Sequence, residues 1–492
     1  MKTFIIFPTQ LFEDNPYLKD MDIIYLLEDP FYFTDKPFHK QKLVFHRASM
    51  KYYYNLIQKK YKNVKYVTFD KINYKDIFSK ASEIHVYDPI DKPVLKKLET
   101  KKLINIYDTP AFLETRQDLE DYRNNYTNKK KYFHDSFYKW QRKRLNILMD
   151  KDDNNKPMHN KWSFDRENRN PYDKNYKEQK ITTYENEYII EAKKYVNKHF
   201  PDNFGSMDEF YYPVTHKETR QHLKIFIKKK LETFGKYQDG ISNKVVFGSH
   251  SVLSPMLNIG LTTPKEVIIE IIKYYKKNIK NIVTVEAFIR QVIGWRSYTH
   301  FIYHFHGTEM LKMNNLKHKR ELSETWYTGD TKIDIIDDMI DKVHKYAYLH
   351  HIERLMVMGN FGLLNQIDPL ELYDWFMICF IDSFEWAMVP NVFGMSQYAL
   401  KETDIIMMTR PYISSSNYIR KMSNYKNSNS FELWDSLYWN FINKHKNILS
   451  KIYATAVQVK LLAKMTKDKL NNYLNIANKI LYKSDRASMC AK

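Results

Sequence analysis

The sequence predicts an α/β plus all-α architecture: an N-terminal Rossmann-like domain with a parallel sheet, a linker, and a larger C-terminal helical domain. Three observations predict it. Short continuous apolar runs alternate with helical stretches over the first 125 residues or so, a strongly polar stretch follows, and beyond about residue 185 apolar residues recur at helical spacing with few strand signals.

In order, the strands read Phe4-Ile5-Ile6-Phe7, Ile23 to Leu27, Tyr66-Val67-Thr68-Phe69, Ile84-His85-Val86-Tyr87 and Ile104-Asn105-Ile106-Tyr107. Between the second and third, Gln41 to Lys59 carries Leu43, Phe45, Met50, Tyr53, Tyr54 and Ile57 at helical spacing. Uninterrupted apolar strands separated by helices require a parallel sheet covered on both faces, so residues 1–125 read as a doubly wound α/β domain. They hold no G-x-G-x-x-G phosphate loop, and a dinucleotide site of the usual kind is not expected there. Residues 126–185 form the linker; its stretch from Asp150 to Lys177 is polar, with Trp162 and Phe164 as its packing points. Residues 186–492 read as all-helical, clearest at Thr263 to Tyr275, Val285 to Phe305, Ile333 to Gly359, Pro369 to Met388 and Ser436 to Tyr453. Thr263-Pro264 and Asp368-Pro369 supply N-cap and first-turn signals, and Gly359 a stop.

Composition narrows the function classes. Of 492 residues 43% are hydrophobic and 28% charged, which excludes wholesale disorder. Two cysteines, Cys379 and Cys490, exclude a disulfide scaffold, a four-thiolate zinc site and an all-cysteine iron–sulfur cluster within the chain. No apolar run is long enough to span a membrane, and MKTFIIFPTQ is too short an apolar start for a secretory signal, so a soluble intracellular protein is expected. Lys and Arg number 78 against 58 acidic residues, a net charge of +20 that favours polyanionic partners, nucleic acid first. The same surplus follows from A/T-rich codon usage, to which the abundance of Lys, Asn, Ile and Tyr and the 11 Gly also point; charge alone leaves the two readings level.

Four segments of the helical half carry candidate chemistry. Gly248 to Pro255 sets Ser249, Ser251 and Ser254 before a helix, where hydroxyls can meet an anion or simply cap. Phe288 to Tyr298 places Arg290, Gln291 and Arg296 beside Trp295, a set for a phosphate-bearing aromatic ligand or a solvated helix face. In Tyr348 to Asn360, His350 and His351 lie on neighbouring helical faces; no further metal ligand lies within helical reach, so no metal site is expected. In Asp374 to Gln397, Asp382 interrupts a nearly continuous apolar helix and needs a cation, for which Arg354 is the natural candidate.

These segments, in this order, resemble the flavin-binding domain of the photolyase/cryptochrome family, and most closely its bacterial iron–sulfur branch, whose members include (6-4) photolyases. Phe38-His39-Lys40-Gln41-Lys42-Leu43, Trp140 to Met149, Trp162 to Arg169, Trp326-Tyr327-Thr328-Gly329, Pro390-Asn391, Gly394-Met395-Ser396-Gln397 and Pro411 to Ser415 resemble that branch too, collinearly over nearly the whole chain. The resemblance implies FAD in the helical domain and an antenna-type α/β domain in front, with a lumazine or deazaflavin as possible antenna. It implies that Ser249, Ser251, Leu253 and Ser254 hold the FAD diphosphate, that Gln291 lines the flavin pocket, and that Arg354 and Asp382 form an ion pair against the ring. The implied reaction is light-driven: reduced, excited flavin gives an electron to a pyrimidine dimer flipped out of UV-damaged DNA and regains it after bond cleavage.

By the same resemblance His351, with His350 beside it, marks the lesion class. Cyclobutane-dimer enzymes commonly carry Asn where (6-4) enzymes carry His, and a histidine can donate the proton that (6-4) repair needs. Tyr412 is then expected to touch the lesion, and Trp375 and Trp326 to relay electrons from the surface. A cryptochrome-like photoreceptor without repair activity, or a cyclobutane-dimer photolyase, are the alternatives; a monomer is expected.

The branch's cubane cluster takes one cysteine after its Trp-Tyr-Thr-Gly segment and three before its Leu-Tyr-Trp segment. This chain has Lys332 to Ile336 and Asn424 to Glu432 at those places and no cysteine in either, so no iron–sulfur cluster is expected, with Ile335, Phe431 and Trp434 packing instead. The turn from Tyr398 to Met408 is longer and poorer in glycine than the resemblance implies.

Overall fold

Five parallel strands, β1 (Lys2–Ile6), β2 (Ile23–Leu27), β3 (Val64–Val67), β4 (Glu83–Tyr87) and β5 (Ile104–Tyr107), form one sheet in the order β3-β2-β1-β4-β5. They belong to a computed structural model that describes residues 1–99, 103–126, 132–165, 168–278, 281–400, 407–408, 410–426 and 428–490. Phe4 is in register with Ile24 on one side and His85 on the other. The apolar runs are continuous because the inner strands are buried on both faces, whereas β3 and β5 at the edges are only half-buried. The third strand starts and ends earlier than the sequence predicts. Phe69 has left the sheet for a short turn, Phe69–Lys71, where its N–H donates to Glu28.

The rest of the described chain is mostly helical. Among the described residues no helix is long and apolar enough to cross a membrane. Ile282–Ile289, Arg290–Arg296 and Ser297–Met310 follow without a break, the middle one π-helical. Glu353–Gly359 and Pro390–Ser396 are π-helical as well. Such widened turns displace side chains from the regular ladder and are frequent at functional sites; here the three contain Gln291, Arg354 and Asn391.

Two predicted helices are broken where the sequence shows no glycine or proline. Asp334–Tyr346 stops at Ala347, which takes the left-handed φ of 50° and donates its N–H to Val343. Tyr348 to His350 are non-helical, and a new helix begins at His351. Likewise Pro369–Cys379 ends at extended Phe380, and Glu385–Val389 follows after a turn. Asp382 therefore sits on a turn rather than inside a helix, and Cys379, buried with a free thiol, is a helix's last residue. The helix expected from Ser436 runs over Phe431–Leu449.

The two halves are clasped by the segment that follows Phe38. The His39 ring bonds the carbonyls of Val343 and His344 at 3.1 Å each, Gln41 donates to Lys345, and Lys42 to Met377 and Ser383. Gly205, with φ +92°, makes room, since a Cβ there would lie 2.0 Å from the His39 ring. The polar connector docks as expected through Phe164, whose N–H donates to buried Glu286, and Trp162, whose carbonyl accepts from Arg142.

Candidate functional site

Arg354 and Asp382 meet. Nη2 lies 2.8 Å from Oδ1 in an ion pair whose side chains are 15% and 8% exposed, so both charges are largely out of water. Helix ends bring them together: Arg354 stands in the second residue of a π-helical segment and Asp382 on the turn after Cys379. The guanidinium is fixed on three sides, by Asp382, by a 2.7 Å bond from Nε to the Leu349 carbonyl, and by the rings of Phe380 and Tyr348 at 4.2 and 5.4 Å. Asp382 Oδ2 accepts from Ser254 Oγ at 2.6 Å, and its backbone carbonyl from Asn258 at 2.9 Å. Oδ1 makes no aligned hydrogen bond, which leaves acceptor capacity at a buried carboxylate lined by aromatic rings.

The serine segment lies beside this pair. Val252 holds a left-handed φ of 54°, strained for a β-branched residue, and Leu253 is buried before the short helix Ser254–Ile259. Ser254, expected at a diphosphate, turns its hydroxyl to Asp382 and so belongs to the ion-pair cluster. Ser249 Oγ lies 2.9 Å from Thr233 and 3.2 Å from Tyr176, and the Ser251 carbonyl meets His222 at 2.7 Å. Gln291 is half-buried and donates to Ala287 within its own helix.

A strap from the linker, which sequence reasoning missed, covers this segment. The Glu178 carboxylate accepts the backbone N–H groups of Val246, Phe247 and Gly248 at 2.8, 2.7 and 2.6 Å. Tyr172 packs so closely on Gly248 that a Cβ there would lie 2.1 Å from its hydroxyl. Gly240 and Gly248 were the available signals, as positions where something approaches the backbone. Replacing Glu178 with alanine removes three charge-assisted bonds, and we expect a local loosening of about 2 kcal/mol. Hydrogen exchange should show it as faster exchange at residues 246–248 with little change in the sheet.

Three histidines converge. The rings of His250 and His350 stack at 4.6 Å and 10°, His351 lies edge-on to both, and the nearest ring nitrogens all fall within 4.8 Å. Sequence reasoning found no further ligand because it searched one helix; His250 arrives from the serine segment. Stacked rings direct their in-plane lone pairs side by side instead of toward a common centre, so the arrangement is a packed stack and not a tetrahedral metal site. Burial pushes His250 down to about 3 and His350 well below the usual histidine range, so both are neutral. His351 differs: its side chain is 48% exposed, with Nε2 3.4 Å from Asp239. His350, at 3% exposed, lies behind it, over the buried Lys342–Glu353 pair. Tyr412, expected at the lesion, is half-buried.

Trp326 and Trp375 are in contact, T-shaped at 5.3 Å, with Trp375 Nε1 donating to the Trp326 carbonyl. Neither reaches the surface, at 3% and 1% exposed, so the pair is an interior link and not a surface terminus. Trp326 continues through stacked Phe361 to buried Trp434. Arg290 and Arg296 are not ligand partners: Arg290 pairs with Asp165 and Glu286, and Arg296 is spent on Asn258 and the carbonyls of Ala111 and Leu257.

Where the cluster cysteines were sought, the residues do not fit an iron–sulfur group. Ser428 and Ser430 donate to Asp334, Tyr425 to Asp338, and Ile335, Phe431 and Trp434 are buried. The long turn at Tyr398 to Met408 falls largely outside the described residues.

The family model for deoxyribodipyrimidine photo-lyase-related protein matches residues 4–212. Over 476 residues, 92% of both chains, the sequence is 29% identical to a (6-4) photolyase of Agrobacterium fabrum. The fold is similar to that of a bacterial class III photolyase from Agrobacterium tumefaciens, with a TM-score of 0.53 and 15% identity over 99% of this chain and 97% of that one. It is also similar to that of a Synechocystis cryptochrome, with a TM-score of 0.55 and 15% identity over 86% of this chain and 88% of that one.

Proposed function

We propose that this chain, which resembles the photolyase/cryptochrome family, is a light-driven DNA photolyase of the (6-4) type. The observation that carries the lesion class is His351, a half-exposed imidazole backed by Asp239 and set three residues before the arginine of the buried ion pair. The relative that is a (6-4) photolyase, aligned over nine-tenths of both chains, supports the reading.

The residues present fit FAD. Asp382 offers a buried, under-bonded oxygen beside a guanidinium, which suits a ring system carrying both donors and acceptors. In this proposal Arg354 and Asp382 hold the ring with Ser254 bracing the Asp382 carboxylate, Ser249, Ser251 and Leu253 line the diphosphate, and Gln291 lines the pocket. Bound FAD, reduced and excited by light, supplies the electron that opens the bond between two pyrimidines and takes it back afterwards. His351 supplies the proton from its exposed ring, whose Nε2 lies 3.4 Å from Asp239. Trp375 and Trp326 pass electrons inward to the pocket.

UV-damaged DNA is the partner that the basic surplus suits, because phosphates neutralised by Lys and Arg release counterions. A lesion stacks and pairs poorly, so extruding it costs less than extruding an intact pair. We assign residues 1–125 to the antenna domain, 126–185 to the linker and 186–492 to the FAD domain, in a monomer. For an antenna of lumazine or deazaflavin type, one candidate place among the described residues is a cavity of about 390 Å³. It is lined by Asp88, Lys92, Arg116, Tyr303 and His304, beside the carboxyl ends of β4 and β5, where open α/β sheets bind ligands.

The test is illumination of the FAD-reduced protein with duplexes carrying each lesion, the products being separated by chromatography. We expect the (6-4) product to be restored and the cyclobutane dimer untouched. Repair of cyclobutane dimers alone overturns the role of His351, and repair of neither moves the protein to the photoreceptors.

A further inference from the structure

Lys42 belongs to the α/β half, on the helix Lys40–Ile57, but its ammonium is buried in the helical half. The residue is 1% exposed. Nζ donates to the carbonyls of Met377 at 3.1 Å and Ser383 at 2.7 Å, with the rings of Phe38 and Phe384 at 4.3 and 5.4 Å. Those two carbonyls bracket the turn that carries Asp382. A buried ammonium is costly unless paired, and burial lowers this one to about 7; Asp382 and then Asp91 are the charges that oppose the loss of its proton. Neither carboxylate bonds it directly. Its bonds go to backbone, so what it fixes is the path of the turn. Asn258 ties the same turn through a neutral bond to the Asp382 backbone carbonyl, whereas Ser254 and Arg354 grip only the carboxylate.

We propose that Lys42 is a positioning residue of the FAD pocket: it fixes the turn that carries Asp382 and sets a second positive charge near that carboxylate, so that cofactor affinity depends on a residue of the α/β half. The inference rests on the reading of the Arg354–Asp382 site as an FAD pocket.

The experiment is a double-mutant cycle on FAD affinity in the full chain, with Lys42→Met, Asp382→Asn and the two combined, followed by flavin fluorescence and by the midpoint potential of the bound flavin. Lys42→Met is expected to weaken FAD binding about tenfold or more and to shift the potential. In the Asp382→Asn background it should change affinity by less than about twofold, because no carboxylate is left for Lys42 to act through. Affinity and potential like wild type in Lys42→Met, or losses that multiply in the double variant, overturn the proposal. Should circular dichroism show that Lys42→Met does not fold, Lys42→Gln, which keeps N–H donors and drops the charge, is read by the same criteria. Wild-type protein that takes up no FAD overturns the reading of the pocket itself, whereas FAD-binding wild type with an indifferent Lys42 variant overturns this inference alone.

Discussion

Replacing His351 with alanine is expected to lower (6-4) repair by about 10²–10⁴-fold, the usual contribution of a positioned general acid, while FAD stays bound. The separation follows from the geometry. His351 is the exposed member of the histidine stack, and its polar partner is Asp239 rather than Arg354 or Asp382, so its loss leaves the ion pair intact. His350 gives a different result. Its ring is buried against His250, and His350→Ala opens a cavity in the stack, so lost stability of about 2–4 kcal/mol should accompany any lost activity. Single-turnover repair on purified, flavin-loaded variants, with thermal unfolding alongside, distinguishes the two. Full repair by His351→Ala removes the proton-donor role.

The parts of this site that were legible in the sequence are those in which one residue type cannot stand alone. An aspartate amid Phe380, Ile381 and Phe384 demands a cation, and Arg354 does meet it. The central strands were legible for a similar reason, since burial on both faces leaves an uninterrupted apolar run. What stayed hidden was the path of the chain between elements. Ala347 and Phe380 end helices without the glycine or proline that usually marks such an end, because tertiary contacts fix their backbones: the Ala347 carbonyl accepts from Ile381, joining the two breaks. That one bond brings the turn of Asp382 to the loop before His351, and neither local sequence shows it. Glu178 was invisible for another reason. A carboxylate in a polar linker looks solvated until the loop it caps is known to fold beneath it. His250, one hundred residues before His350, lay beyond any search along a single helix.

Replacing Arg354 with methionine should cost the protein its FAD. Removing one partner of a buried ion pair costs about 3–5 kcal/mol, because the other charge stays behind without its counterpart. If most of that falls on the loaded state, affinity drops by roughly two to three orders of magnitude. The loss has two sources that a lysine separates. Arg354 meets Asp382 through Nη2 while Nε holds the Leu349 carbonyl and the guanidinium plane covers Phe380 and Tyr348. A lysine keeps the charge, but its single ammonium cannot serve carboxylate, carbonyl and two rings together. Arg354→Lys is therefore expected to fall between wild type and Arg354→Met. The Leu349 bond also places the segment just before His350 and His351, so Arg354→Lys should lose more repair than its flavin content explains. The flavin-to-protein absorbance ratio gives the first quantity and repair per bound flavin the second. If Arg354→Met retains one flavin per chain, the ion pair is a fold element only, and the cofactor must be sought elsewhere in the helical half.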